Sequence, residues 1–264
     1  MDASSNRVDF ALRGRVGVLT LRDAEHFNAL SAPQVAALLA ALEQSRRQAA
    51  RAVVIASSVK HFCAGADIKE FLKGELLDPG RPPPASSPVN LFRALIEDAR
   101  PVIAAVDGLA MGGGVELTLS CDLVLATDKA RFALPELGLG LLPRTALVRL
   151  PGIVGRRKAL ELILTRRRLS ADEALAIGLV NRVVESAGLL DAAVALAEEI
   201  VSAPPAAIAA VKRTLGRVPP GDWEGLHGLL AHLDPAEWRE GLSSFSEKRA
   251  PDYERFWPKP DAKN

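Results

Sequence analysis

Two carboxylates stand where an ordinary soluble domain rarely puts them. Glu116 follows the triplet Gly112-Gly113-Gly114 by two residues and lies inside the apolar run Val115, Leu117, Leu119. Glu136 sits in Phe132-Ala133-Leu134-Pro135-Glu136-Leu137-Gly138-Leu139. Charge in such surroundings is costly unless it is paired or has chemistry to perform. Two such groups could share one water, one carboxyl ionised and the other protonated. N-capping, or a buried ion pair with a distant arginine, explains either residue taken singly, and both readings stay open.

Two glycine-containing turns accompany them. Phe62-Cys63-Ala64-Gly65-Ala66-Asp67-Ile68 follows the apolar run 52–56, and Gly112–Glu116 follows the run 101–106. Small residues let a backbone approach a ligand, and free amides at a turn or helix N-terminus face negative charge. One amide from each turn could hold a developing oxyanion, a contribution of about 2.7–4 kcal/mol per donor. The plainer reading is that these glycines mark tight turns and close helix–strand packing.

Other chemistries lack their residues. There is no Gly-x-Ser-x-Gly elbow, phosphate loop or Gly-x-Gly-x-x-Gly, and His26, His61, His227 and His232 contain no His-Glu-x-x-His pair. No metal site is expected. Cys63 and Cys121 form no Cys-x-x-Cys pair, which suits a reducing, cytoplasmic setting. With 33 Lys+Arg against 32 Asp+Glu the net charge is +1, and no nucleic-acid partner is expected. The runs Arg156-Arg157-Lys158 and Arg166-Arg167-Arg168 are read as solvated helix ends. Asp107, Glu116 and Asp122 interrupt the most membrane-like stretch, 102–127, so no membrane span is expected, and the N-terminus lacks a secretory core.

The elements that must position these groups follow from patterning. The 264 residues allow one to two domains and a large core. Runs at 8–12 and 16–21 around Gly14 read as a hairpin. Ser31-Ala32-Pro33-Gln34 fits a capping box opening a helix to about Gln48. The continuous apolar runs 52–56, 101–106 and 123–126 read as strands buried on both faces, with 112–120 as the opening of a helix. The proline-rich stretch 77–88 reads as a mobile surface loop. Beyond Gly152, helices are expected over 153–165, 170–177 (with a second capping box, Ser170 to Glu173), 189–201 and 206–215, around a short strand at 180–184.

Together these features resemble a known family. Phe62–Glu70, Met111–Asp122 and Phe132–Gly140 are similar to the three signature segments of the enoyl-CoA hydratase/isomerase (crotonase) superfamily. The similarity runs from about Val16 to Val184 and returns at Arg239–Leu242 and Phe245–Arg249. It implies an α/β fold with a crotonase-like (ClpP/crotonase) core of repeated ββα units over residues 1–200. A helical C-terminal region at 201–264 would mediate a homotrimer or a dimer of trimers. The resemblance assigns the oxyanion amides to Ala66 and Gly113 and the catalytic pair to Glu116 and Glu136. It implies coenzyme A binding at Lys60, Ala64, Gly65, Asp67, Ile68 and Lys69, with the backbone around Ala64, Ala66 and Ile68 reading the adenine. Phe245 and Lys248 match a contribution often made from a neighbouring subunit.

The implied activity is reversible addition of water to a 2-trans-enoyl-CoA, giving a 3-hydroxyacyl-CoA, within fatty acid metabolism. Coenzyme A arrives as the thioester substrate and no separate cofactor is implied. Glu116 would activate the water and Glu136 would serve Cα. Alternatives are a double-bond isomerase, another thioester-enolate reaction (dehydration or decarboxylation), or a non-catalytic acyl-CoA- or RNA-binding member. One stretch departs from the family. Relatives read Pro-Gly-Ala-Gly-Gly before Thr-Gln-Arg-Leu, whereas this chain reads Pro143-Arg144-Thr145-Ala146-Leu147-Val148-Arg149-Leu150. The Arg144 side chain could enter the pocket, pair with Glu136 and lower its pKa, or point to solvent while Leu147 narrows the pocket.

Overall fold

The computed structural model describes residues 7–72, 82–202, 208–209, 211–212 and 235–252. Six strands form the main sheet: β1 (Val8–Arg13), β2 (Val16–Leu21), β3 (Ala52–Ser57), β4 (Val102–Val106), β6 (Leu123–Thr127) and β9 (Arg182–Val184), adjacent in that order. The β1–β2 pair is the expected antiparallel hairpin, with Gly14 at φ +59° in its turn, and every later neighbour is parallel. A second sheet joins β5 (Leu109–Met111), β7 (Arg131–Ala133) and β8 (Leu169–Ser170).

Burial on both faces explains the unbroken apolar runs. Val53 and Ile55 of β3, and Val102 and Ala104 of β4, enter the main core beside helix α1 (Ala32–Arg47). Their neighbours Ala52, Val54, Ile103 and Ala105 face the opposite way, onto Leu189, Ala193 and Leu196 of helix α8 (Leu189–Ile200). Alternate residues of one strand thus fill two separate cores, which is why 52–56 and 102–106 are apolar throughout.

Several elements depart from their sequence reading. Ser31 Oγ accepts from Gln34 N at 3.4 Å, but the reciprocal arm of that capping box is absent. Both polar atoms of the Gln34 side chain are buried without a partner, and Glu70 reaches across instead to accept from Ala32 N at 2.9 and 3.0 Å. The box at Ser170 and Glu173 is complete. The helix expected over 153–165 divides at Gly155 (φ +78°) into α5 (Arg144–Val154) and α6 (Arg156–Thr165). Sequence reading missed most of α5, because Pro151 lies inside it and Pro143 precedes it. The end of the proline-rich stretch is ordered: Pro88 opens helix α3 (Pro88–Ile96) at a position where its missing N–H costs nothing. Of the helix expected over 206–215, only Ile208, Ala209, Val211 and Lys212 fall within the described residues, and these are helical.

Asn28, which the sequence reading passed over, ties the first turn to this frame. It is fully buried at φ +56°, a backbone region that asparagine tolerates better than most residues. Its Oδ1 accepts from Asp23 N at 2.8 Å, and its Nδ2 donates to Ser57 Oγ and to the carbonyls of His61 and Phe62 at 2.9–3.1 Å. Asn28→Ala should leave these buried groups unpaired and cost on the order of 3 kcal/mol, read as a lower urea midpoint.

Candidate active site

Backbone pairing brings the two glycine turns together. Cys63 N donates to Leu109 O at 3.1 Å and Met111 N to Cys63 O at 3.0 Å, which lays the 62–66 segment along β5. Beyond this pairing the chains approach too closely for side chains. A β-carbon at Gly65 (φ +99°) would lie 2.6 Å from Met111 O, and one at Gly114 would lie 2.3 Å from Cys63 O. At Gly113 a β-carbon would sit 3.2 Å from Ala66 N, so the two candidate oxyanion amides are neighbours. Neither Ala66 N nor Gly113 N donates to any group among the described residues.

Gly112 opens helix α4 (Gly113–Leu119) at φ +54°, ψ −118°, and Glu116 lies in its first turn. The Glu116 carboxylate reaches the start of α5, where Oε1 accepts from Thr145 N at 2.6 Å and Ala146 N at 3.1 Å. A carboxylate at a helix N-terminus satisfies amides that have no partner within the helix. The capping explanation for Glu116 and the chemical one therefore coexist. Glu136 begins the 3₁₀ turn Glu136–Leu139, and a β-carbon at Gly112 would lie 2.8 Å from its Oε1. Its Oε2 is buried with no hydrogen-bond partner among the described residues.

Both glutamates, Ala66, Gly113 and Arg144 line one cleft of about 870 Å³, counted to its open mouth, with apolar walls that include Val89, Phe92, Leu139 and Leu142. Burial raises both carboxyl pKa values. For Glu116 the rise is opposed by the Ala146 amide, the Arg144 charge and the Thr145 amide. For Glu136 the charge of Glu116 adds to burial, and its pKa is pushed up to about 8. Neutral solution thus favours a protonated Glu136 beside Glu116, whose charged form two backbone amides support.

The expectation that Arg144 could pair with Glu136 is corrected. Its side chain enters the cleft wall, and the carboxylate that attracts it is Glu116. Leu147 packs into the main core instead of narrowing the cleft. Among the other expected site residues, Ala64, Gly65 and Ile68 line the cleft. Asp67 accepts from Lys69 N at 2.8 Å at the start of helix α2 (Ile68–Leu72). Lys60 and Lys69 are exposed on that side of the molecule, and Phe245 and Lys248 are exposed at the end of the helix Pro235–Ser246, away from the described lining. That helix packs Trp238 and Leu242 against Ile68, Leu139 and Leu141 and so backs three residues of the cleft lining.

Cys63 is fully buried, donates to Asn28 O at 3.1 Å, and has its thiol pKa pushed up to about 12 by burial, which makes it a packing residue. His61 accepts from Leu109 N at 3.4 Å and meets the Phe27 ring at 5.6 Å. Arg167 pairs with Glu161 and Glu173. Among the described residues no helix is long and apolar enough to cross a membrane, and no three His, Cys, Asp or Glu side chains gather as a metal site would need. Sequence reading missed Asn28 and Glu70. The available signal for Asn28 was a lone amide among Phe27, Ala29 and Leu30 just before the Ser31 cap.

Comparison with known proteins bears on this geometry. Residues 12–256 match the model of the family described as enoyl-CoA hydratase/isomerase. A probable enoyl-CoA hydratase of Rhizobium meliloti (strain 1021) is 38% identical over 253 residues, 91% of this chain and 95% of its own length. A carnitinyl-CoA dehydratase of Escherichia coli (strain K12) is 39% identical over 213 residues, 76% of this chain and 79% of that protein. The crystal structure of a carnitinyl-CoA hydratase from Mycobacterium avium superposes with a TM-score of 0.82 at 34% identity, covering 95% of this chain and 99% of the other.

The Glu136 pKa has a consequence for stability. Its folded-state value near 8 exceeds the ordinary 4.5, so between these values the folded chain holds a proton that the unfolded chain has lost. The associated stabilisation is complete below the lower value and disappears as pH rises through the upper one. Thermal midpoints of the wild type should fall between about pH 5 and about pH 9, and Glu136→Gln should flatten that dependence.

Proposed function

The chain belongs to the enoyl-CoA hydratase/isomerase family, and on that footing we propose that it adds water reversibly to a 2-trans-enoyl-CoA. The observation that carries this reading is the inequality of two cleft carboxyls facing two unengaged amides. Addition of water at Cβ moves negative charge onto the thioester oxygen. The amides of Ala66 and Gly113 would receive that charge, and they stabilise the enolate-like transition state more than the ground-state carbonyl. Glu116, held by the Thr145 and Ala146 amides, would draw the proton from the attacking water. Glu136, protonated near neutrality, would supply the proton at Cα. In dehydration the same groups exchange roles, so the direction of turnover follows substrate supply.

For coenzyme A the reading uses the cleft edge formed by Ala64, Gly65 and Ile68, with Asp67 next to it in the chain and exposed Lys60 and Lys69 meeting its phosphates. Phe245 and Lys248 would serve a neighbouring copy in a homotrimer or a dimer of trimers. Their exposure supports that role, as do the exposed apolar side chains Ile153, Leu160 and Leu164 on α5 and α6. A cytoplasmic location and a place in fatty acid metabolism belong to the same proposal. Dehydration of a carnitinyl thioester is a second reading, favoured by the 39% identity to the carnitinyl-CoA dehydratase.

Loss of the conjugated thioester absorbance of crotonyl-CoA tests the reaction. Glu116→Gln and Glu136→Gln should each lower kcat by about 10²–10⁴-fold. The wild-type hydration rate should decline above about pH 8, as Glu136 loses its proton. Hydration that survives both substitutions would remove these residues from the mechanism.

A further inference from the structure

Arg144 is the one cation among the described residues lining the cleft, and it makes no hydrogen bond or ion pair with any of them. Its isolation is unusual in this molecule. The partly buried arginines Arg7, Arg15, Arg100, Arg149 and Arg167 each engage a carboxylate or a carbonyl. An enclosed guanidinium ordinarily finds such a partner, because taking its charge from water without one is costly. Glu116 attracts Arg144, but Oε1 of Glu116 is already taken by the Thr145 and Ala146 amides, and no ion pair closes between the two side chains. Glu136 holds its proton near neutrality and offers Arg144 no charge.

The position of Arg144 indicates which part of a ligand it would meet. It directly precedes Thr145, whose amide holds Oε1 of Glu116 at 2.6 Å, the carboxyl read above as activating the water. Arg144 and Glu116 line the same cleft, and the charge of each acts on the other. Apolar side chains of Val89, Phe92 and Leu142 accompany it in the lining and suit a short hydrocarbon segment. We propose that Arg144 binds a carboxylate at the far end of a short acyl chain, making the substrate a dicarboxylic acyl-CoA thioester. A planar guanidinium can grip a carboxylate with two parallel hydrogen bonds, and it repels a quaternary ammonium at the same place. The proposal rests on the enoyl-thioester reading of the cleft, and it departs from a carnitinyl substrate.

The test compares crotonyl-CoA with its carboxylated homologue, pent-2-enedioyl-CoA, in the full-length wild type, Arg144→Gln and Arg144→Lys. The wild type should favour the carboxylated thioester in kcat/KM, and Arg144→Gln should reduce that preference at least about tenfold. Arg144→Lys should restore part of it. Equal losses on both thioesters would overturn the proposal, because they would place Arg144 on Glu116 or on a coenzyme A phosphate. Calorimetric binding of glutaryl-CoA and butyryl-CoA, neither of which can be hydrated, separates this idea from the reaction itself. Arg144-dependent preference for glutaryl-CoA without turnover of either enoyl thioester would uphold the carboxylate site and reject hydration. Hydration of crotonyl-CoA by a wild type with no preference within either pair would do the reverse.

Discussion

The cleft depends on one close backbone contact, the meeting of the 62–66 segment with the 109–114 segment. Two inter-segment hydrogen bonds set its register, and the positions of Gly65 and Gly114 leave no room for a β-carbon. This approach puts Ala66 N and Gly113 N side by side, and neither donates to a group among the described residues. The supporting parts answer to the same requirement. The buried amide of Asn28 bonds the carbonyls of His61 and Phe62, and the parallel strands β3 and β4 deliver both segments to the same end of the sheet. Connections at the carboxyl ends of neighbouring parallel strands are where α/β folds generally assemble binding sites.

From that contact follows the electrostatic asymmetry of the cleft. Helix α4 starts at Gly112 because the turn ends there, and this carries Glu116 under the first amides of α5. The missing β-carbon of Gly112 in turn makes room for the Glu136 carboxyl. Two carboxyls in similar burial thus receive different treatment: the amides of α5 bond one, and Oε2 of the other has no hydrogen-bond partner among the described residues. The difference in their proton affinity comes from hydrogen bonding and mutual repulsion more than from depth. Arg144, at the start of the helix whose amides hold Glu116, belongs to the same construction.

Much of this was legible in the sequence, for identifiable reasons. The apolar runs at 52–56, 101–106 and 123–126 read as strands covered on both faces, and the short segments around Gly65 and Gly112 carry their meaning in residue size. Lone carboxylates inside apolar runs are legible for the same reason, since burial without purpose is costly. Local patterning was a poorer guide wherever a distant residue takes over a local task. Gln34 looked like the second arm of a capping box, yet Glu70, thirty-eight positions beyond Ala32, accepts from the Ala32 amide at that helix start instead. Helix α5 was obscured by its prolines, although its amides had a distant carboxylate to bond.

The order of residues was enough to read the α/β class, the hairpin, the main strands, the family resemblance and the candidates for holding an oxyanion and moving protons. These follow from periodicity, residue size and the cost of burying charge, all of which act along the chain. Tertiary structure alone decided that Glu116 rests on the amides of α5, and that neither Glu136 Oε2 nor the Arg144 side chain in the cleft finds a hydrogen-bond partner among the described residues. Such outcomes depend on which groups meet across a fold. A carboxyl's proton affinity and a guanidinium's lack of a counterion are properties of neighbours that the linear order does not list.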